Sequence, residues 1–185
     1  MEIEAVASRG TGKLSVTGIV EVEEIEDGRG HTMHRTSTAK AALINALMRL
    51  KQIGLDVDHC DMHVNFPGGI PVDGPSAGIA MAVACYSAIA GVPVAQDIAM
   101  TGEISANGRV LPVGGVSEKI EAARKAGLGR VLIPIGNDQE RYRSFDIEVV
   151  AIDSLEMALL HALSEGKTVR NSVSAEVIGP VAAAK

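Results

Sequence analysis

The sequence predicts a mixed α/β, or α+β, fold: one domain of short β-sheets with helices packed on them. Three observations carry this. Short alternating, β-branched stretches fill the first 24 residues and recur at 59–66 and 97–113. Apolar patterns of helical period occupy 36–53, 79–90 and 117–126, each closed by a glycine at or near its end. In the second half strand and helix alternate, the order expected of crossover units with helices laid on a sheet.

Taken in order, Glu2–Ala7 and Lys13–Glu24 read as strands separated by the turn Ser8–Gly12. Gly12-Lys13 invites a phosphate-loop reading, which fails because Leu14 stands where Ser or Thr is required. The acidic run Glu21–Asp27 reads as a solvated strand edge, since carboxylates in succession alternate sides of a strand and do not converge on a metal. Gly28–Gly30 then turns the chain. Thr36–Ile53 is an amphipathic helix, with Ala39, Ala42, Leu43, Ala46, Leu47 and Leu50 inward and Gly54 as its stop. Its opening, Ser37-Thr-Ala-Lys40, has the S-x-x-K spacing of penicillin-binding enzymes. Neither the S-D-N nor the K-T-G partner occurs, so it is read as a helix start, with penicillin-binding-like acylation at Ser37 as a runner-up only.

His59–Phe66 is a strand whose period of two puts His59, Asp61, His63 and Asn65 on one face. With no further well-placed metal ligand, that face is expected to line a polar groove beside the loop that follows. Asp97–Ile104 is a strand carrying Thr101 and Glu103, Asn107-Gly108 is a hairpin turn, and Arg109–Val113 is the return strand. Ser117–Ala126 is a helix, Arg130–Ile135 and Asp146–Ile152 are buried parallel strands, and Asp153 is expected to cap a last helix ending at Leu163. The domain is taken as 1–170, with 171–185 a loose tail.

The 185 residues suit one domain, and with no Trp, two Tyr and two Phe the core must be aliphatic. A net charge of −6 without a basic, aromatic-laced patch argues against nucleic acid. The longest apolar run, 79–92, is short of a membrane span, and Met1-Glu-Ile-Glu lacks the basic start of a signal peptide. Cys60 and Cys85 do not make a disulfide framework and are expected as buried free thiols, in a cytoplasmic setting.

The chemistry centres on Pro67–Gly78, a Gly- and Pro-rich loop that runs into the apolar helix and holds Ser76 at the junction. Helix N-termini favour developing negative charge, so a serine there is a candidate nucleophile; the plainer alternative is a helix cap. A serine hydroxyl needs a base. The five histidines, His31, His34, His59, His63 and His161, stand in no triad motif. Lys119 is the other solution: it follows a Gly-Gly turn, opens a helix, and is flanked by Val116 and Ile120, where burial would disfavour its charged form.

Asp73-Gly-Pro-Ser-Ala-Gly78, Met100-Thr-Gly-Glu-Ile104 and Val110–Lys119 together closely resemble the proteolytic domain of Lon proteases, and Asn65–Pro71 is more similar to the B-type than to the A-type. The resemblance spans about Gly10 to Leu163. It implies a serine endopeptidase with Ser76 as nucleophile and Lys119 as general base, Thr101 holding the amine, and Glu103 and Asp73 at supporting positions. His63 matches the first of two A-type histidines, while Asn65 stands at the second. An oxyanion hole is implied in the backbone around Ser76, at Gly74, Pro75 and Ala77. Because a carboxylate close to the amine would raise its pKa, Asp73 is expected to turn away from Lys119 in a competent state. The family further implies a homo-hexamer, unfolded or damaged polypeptides as substrates in protein quality control, and an ATPase module. These 185 residues contain no Walker A motif, so no cofactor is expected in this chain, ATP and Mg²⁺ belonging to that module. Without the module the chain is expected to cleave small or unfolded peptides independently of ATP. The alternative is a catalytically silent assembly or adaptor domain of the same fold.

Overall fold

The computed structural model describes residues 1–19, 22–26, 32–69 and 72–163, with 22–26 and 32–36 described as backbone alone. The expected turn at 28–30, the centre of the Pro67–Gly78 loop at 70–71 and the tail at 171–185 lie outside the described residues, as do the side chains of the acidic run. In chain order the first half contains β1 (Glu4–Arg9), β2 (Leu14–Thr17), β3 (Val22–Glu26), β4 (Thr32–Thr36), α1 (Thr38–Gln52), β5 (Cys60–Asn65) and α2 (Gly78–Ala90). The second half contains β6 (Ile98–Met100), β7 (Glu103–Ile104), β8 (Val110–Leu111), α3 (Val116–Lys125), β9 (Arg130–Pro134), β10 (Glu148–Ile152) and α4 (Leu155–Ala162). This is a mixed α/β fold of short sheets and packed helices, as expected.

One sheet has the order β1-β5-β2, antiparallel at β1 and parallel at β2. Its register places Ala5 and Ala7 beside Val64 and Met62 on a face that packs into the main core with α1 and α2. The other face carries Val6, Asp61, His63, Asn65, Ser15 and Thr17. A second sheet, β10-β9-β6, is parallel throughout and covered on both sides. Alternation along β9 explains this: Leu132 joins the main core with α2 and α4, while Val131 and Ile133 join a smaller core with Val116 and Ile120 of α3 and with Tyr142. Two-stranded pairs, β3-β4 and β7-β8, complete the described sheets.

Ser37 is the N-cap of α1, its hydroxyl accepting from the Lys40 N–H at 3.2 Å. It is also completely buried, which removes the acylation reading of Ser-x-x-Lys. Several expectations need correction. The strand expected over 97–104 is two strands, broken at Thr101-Gly102 where the backbone leaves β9 and turns to α2. The 13–24 stretch is likewise split, and the return strand after Asn107-Gly108 shrinks to Val110–Leu111. The last helix is preceded by Ser154 rather than capped by Asp153, whose carboxylate instead accepts from the Ser154 hydroxyl at 2.7 Å.

Both cysteines are free, but Cys60 is half-buried whereas Cys85 is fully buried in α2, and burial pushes the Cys85 thiol up to about 12. A thiol-alkylating reagent near pH 8 is therefore expected to modify Cys60 in the folded protein and Cys85 only after denaturation, as read by peptide mass mapping. No described helix is long and apolar enough to cross a membrane.

Candidate functional site

Ser76 lies in a single 3₁₀ turn, Pro75–Ala77, that leads straight into α2. Gly74 precedes the turn with φ 104°, and the helix N-cap is Ala77, with no side-chain cap on either element. Ser76 is thus held at the helix start without spending its hydroxyl on capping. Pro75 has no N–H, so the donors this turn can offer are the backbone N–H groups of its other residues, and Pro75 contributes a fixed φ.

The break between β6 and β7 docks on this turn. The Gly102 N–H donates to the Ser76 carbonyl at 2.9 Å, and the Gly102 carbonyl accepts from the Ile79 N–H at 3.1 Å. Gly78 permits the approach: a Cβ there would lie 3.0 Å from both the Ile104 backbone N and its Cγ2. Any side chain at 78 would push α2 off the 102–104 segment. Asn45 of α1 steadies the same segment, its amide donating to the Ile104 carbonyl at 3.3 Å.

Thr101 is buried and immediately precedes Gly102. Its N–H donates to the Leu132 carbonyl of β9 at 3.0 Å, and its hydroxyl donates to the Ser76 carbonyl at 3.2 Å. Lys119, half-buried on the first turn of α3, donates from Nζ to Thr101 Oγ1 at 3.1 Å. A continuous chain therefore runs Lys119–Thr101–Ser76 backbone. Burial holds the Lys119 amine below its ordinary value, because the apolar wall disfavours the ammonium. Among the described residues no hydrogen bond joins Lys119 Nζ to Ser76 Oγ directly, and no carboxylate pairs with the amine.

Ser76, Thr101 and Lys119 line one cavity of about 1010 Å³. Its walls are mainly small and apolar: they include Ala80 and Ala84 of α2, Ala122 of α3, Ala126 at the cap that ends α3, and Ile98 and Met100 of β6. Glu2 is the other charged side chain on the wall among the described residues. The cavity walls were missed in the sequence reading. The available signal was alanine repeated at i, i+4 on both helices, which marks close-approaching faces as readily as a pocket.

The remaining sequence candidates lie elsewhere. Asp73 is exposed and its carboxylate accepts from the Thr38 hydroxyl at 3.0 Å, at the start of α1. Glu103 is half-buried at the start of β7 and Gly74 sits just before the Ser76 turn; neither is on the cavity wall. His63 does not line the cavity, which corrects the expected groove. It lies on the sheet face opposite α2, with Nδ1 2.9 Å from Ser15 Oγ and Nε2 3.4 Å from Thr17 Oγ1. Asp61 on that face accepts the Thr11 and Lys13 N–H groups at 2.8 and 2.9 Å, which lowers its carboxyl pKa. That face holds the sheet and its turn together.

The profile of the family described as Lon protease (S16) C-terminal proteolytic domain matches residues 1–165. Among curated relatives, Lon protease 2 of Bacillus subtilis (strain 168) is 43% identical over 160 residues, covering 86% of this chain and 29% of the relative. Lon protease of Syntrophomonas wolfei subsp. wolfei is 42% identical over 144 residues, 76% of this chain and 16% of the relative. Lon protease 1 of Syntrophobacter fumaroxidans is 41% identical over 167 residues, 88% and 19%. The chain spans under a third of the length of each of these relatives.

Proposed function

Because the chain belongs to the Lon protease (S16) C-terminal proteolytic domain family, we propose that it is a serine endopeptidase working through Ser76 and Lys119. The observation that carries this reading is the shared cavity in which Lys119, Thr101 and Ser76 are linked through hydrogen bonds. In the proposed reaction Ser76 Oγ attacks the scissile carbonyl carbon while Lys119 Nζ takes its proton. The tetrahedral intermediate collapses to an acyl-enzyme as the resulting ammonium gives that proton to the leaving amine. Water, deprotonated by the same amine, then releases the acid.

Thr101 has a positioning role in this reading. It holds the amine within reach of Ser76, and a rotation of the lysine side chain exchanges the threonine hydroxyl for the serine hydroxyl. Contacts of this kind tighten only when substrate is bound. Backbone N–H groups at the start of the turn and helix, among Gly74, Ser76 and Ala77, supply the candidate oxyanion donors, because helix starts carry N–H groups without intrahelical acceptors. Asp73, bonded to Thr38, leaves the amine free of a carboxylate that would raise its pKa. Glu103 and His63 take no direct part in these proton transfers. Unfolded polypeptide as substrate, a homo-hexameric assembly, a cytoplasmic setting and a separate ATPase module follow from the family resemblance and are proposed with it.

A peptide boronate or a fluorophosphonate tests the assignment. Covalent labelling is expected at Ser76, mapped by peptide mass and lost in Ser76→Ala. Absence of labelling at Ser76 under conditions where the protein is folded would favour the silent-domain alternative.

A further inference from the structure

We propose that Asn137 is a positioning residue for Lys119: its carboxamide clamps the backbone of Val113 and so sets where α3 begins. The inference rests on the reading of Lys119 as the general base. The Val113 N–H donates to Asn137 Oδ1 at 2.8 Å, and Asn137 Nδ2 donates to the Val113 carbonyl at 3.0 Å. A primary amide that both accepts from and donates to one residue imitates the neighbour that a strand would have in a sheet. Asn137 closes the 3₁₀ turn Ile135–Asn137, which follows β9 without a gap.

Between Val113 and α3 stand only Gly114 and Gly115. Gly115 is the helix N-cap in the left-handed region, φ 67°, and no side chain caps the helix. The most pliable link in the neighbourhood thus leads directly into the element that carries Lys119. Two outside restraints compensate. Asn137 holds the chain before the glycines. Ser117, after them, accepts from Arg141 Nη2 at 3.0 Å and donates to the Tyr142 hydroxyl at 3.4 Å. The turn also rests on Pro112, since a Cβ at Gly136 would fall 2.6 Å from the Pro112 Cγ.

The geometry explains why β9 is a common reference. Thr101 is fixed to β9 through the Leu132 carbonyl, and α3 is referenced to β9 through the turn that follows that strand. Lys119 and Thr101 come from segments 18 residues apart, yet their 3.1 Å contact is measured from one strand. Releasing the clamp lets α3 pivot at Gly114-Gly115 and moves the amine away from Thr101 into water. Glu2 is the other charged side chain on that cavity wall among the described residues, and neither it nor Met1 beside it lies on the elements the clamp moves.

The experiment compares wild type with Asn137→Ala and Asn137→Asp; the latter keeps an acceptor for the Val113 N–H and loses the donor. Rates per labelled Ser76 site are expected to fall roughly tenfold or more in Asn137→Ala with KM little changed, and to be intermediate in Asn137→Asp. The acid limb of the pH–rate profile is expected to move to higher pH in the same order. Independently of activity, the Lys119 ¹³Cε NMR titration midpoint is expected to rise. An unchanged rate per site with an unmoved limb, or an unchanged Lys119 midpoint, overturns the clamp. If wild type itself shows no Ser76-dependent hydrolysis, the protease reading fails, and the Lys119 midpoint alone then decides the clamp. Should Asn137→Ala not fold, Gly136→Ala, which forces the turn off Pro112 while leaving the carboxamide in place, is measured the same way.

Discussion

Ser76→Ala and Lys119→Ala are each expected to lower kcat/KM for a small fluorogenic peptide by about a thousandfold or more, with the double variant little worse than either single one. The reason is that nucleophile and base act as one unit: an unassisted serine hydroxyl and an amine with nothing to deprotonate are equally idle. Thr101 lies between them in the hydrogen-bonded chain, so Thr101→Val is expected to fall short of those losses while still lowering kcat. Thermal unfolding should be little changed in Ser76→Ala, because the hydroxyl caps neither the turn nor the helix. A Ser76→Ala protein that kept most of the wild-type rate would remove Ser76 from the reaction.

The second large effect is on pH. A general base must be neutral to accept a proton, and burial holds the Lys119 amine below the ordinary lysine value of about 10.4. The sign follows: kcat/KM should rise about tenfold per pH unit on the acid side and level off once the amine is neutral. The limb should sit below the ordinary lysine range. Stability follows the same linkage. The folded state binds fewer protons than the unfolded state between the lowered pKa and the ordinary one, so the burial penalty on the ammonium is present at low pH and relieved as pH rises through that window. A limb that persists unchanged in the residual activity of Lys119→Ala would assign the titration to another group.

Much of this was readable from residue patterns because the relevant physics is local. Helical periodicity and glycine stops located α1, α2 and α3 to within two residues, and Asn107-Gly108 marked the β7–β8 hairpin. The apolar runs at 130–135 and 146–152 became adjacent parallel strands because a strand covered on both faces has no polar side to show. The break at Thr101-Gly102 was not readable. Its apolar alternation continues through the break, and what interrupts the strand is hydrogen bonding to Ser76 and Ile79, residues more than 20 positions earlier. The face of β5 was identified correctly but assigned to the wrong surroundings: periodicity says that His63 and Asn65 share a side, not which side receives α2. Asn137 carried no local signal beyond that of an ordinary turn residue.

By itself the sequence determined which groups are available and in what local frame: a serine at a helix start, a lysine opening a later helix, and a threonine within a strand. Those follow from spacing, turn chemistry and helix periodicity, which act over a few residues. Only the tertiary structure decided that the three share one cavity, that Thr101 stands between amine and serine backbone, and that a carboxamide following β9 holds the start of α3. Each of these depends on backbone groups brought together from distant segments, and any residue supplies such groups, so no pattern of side chains along the chain announces them.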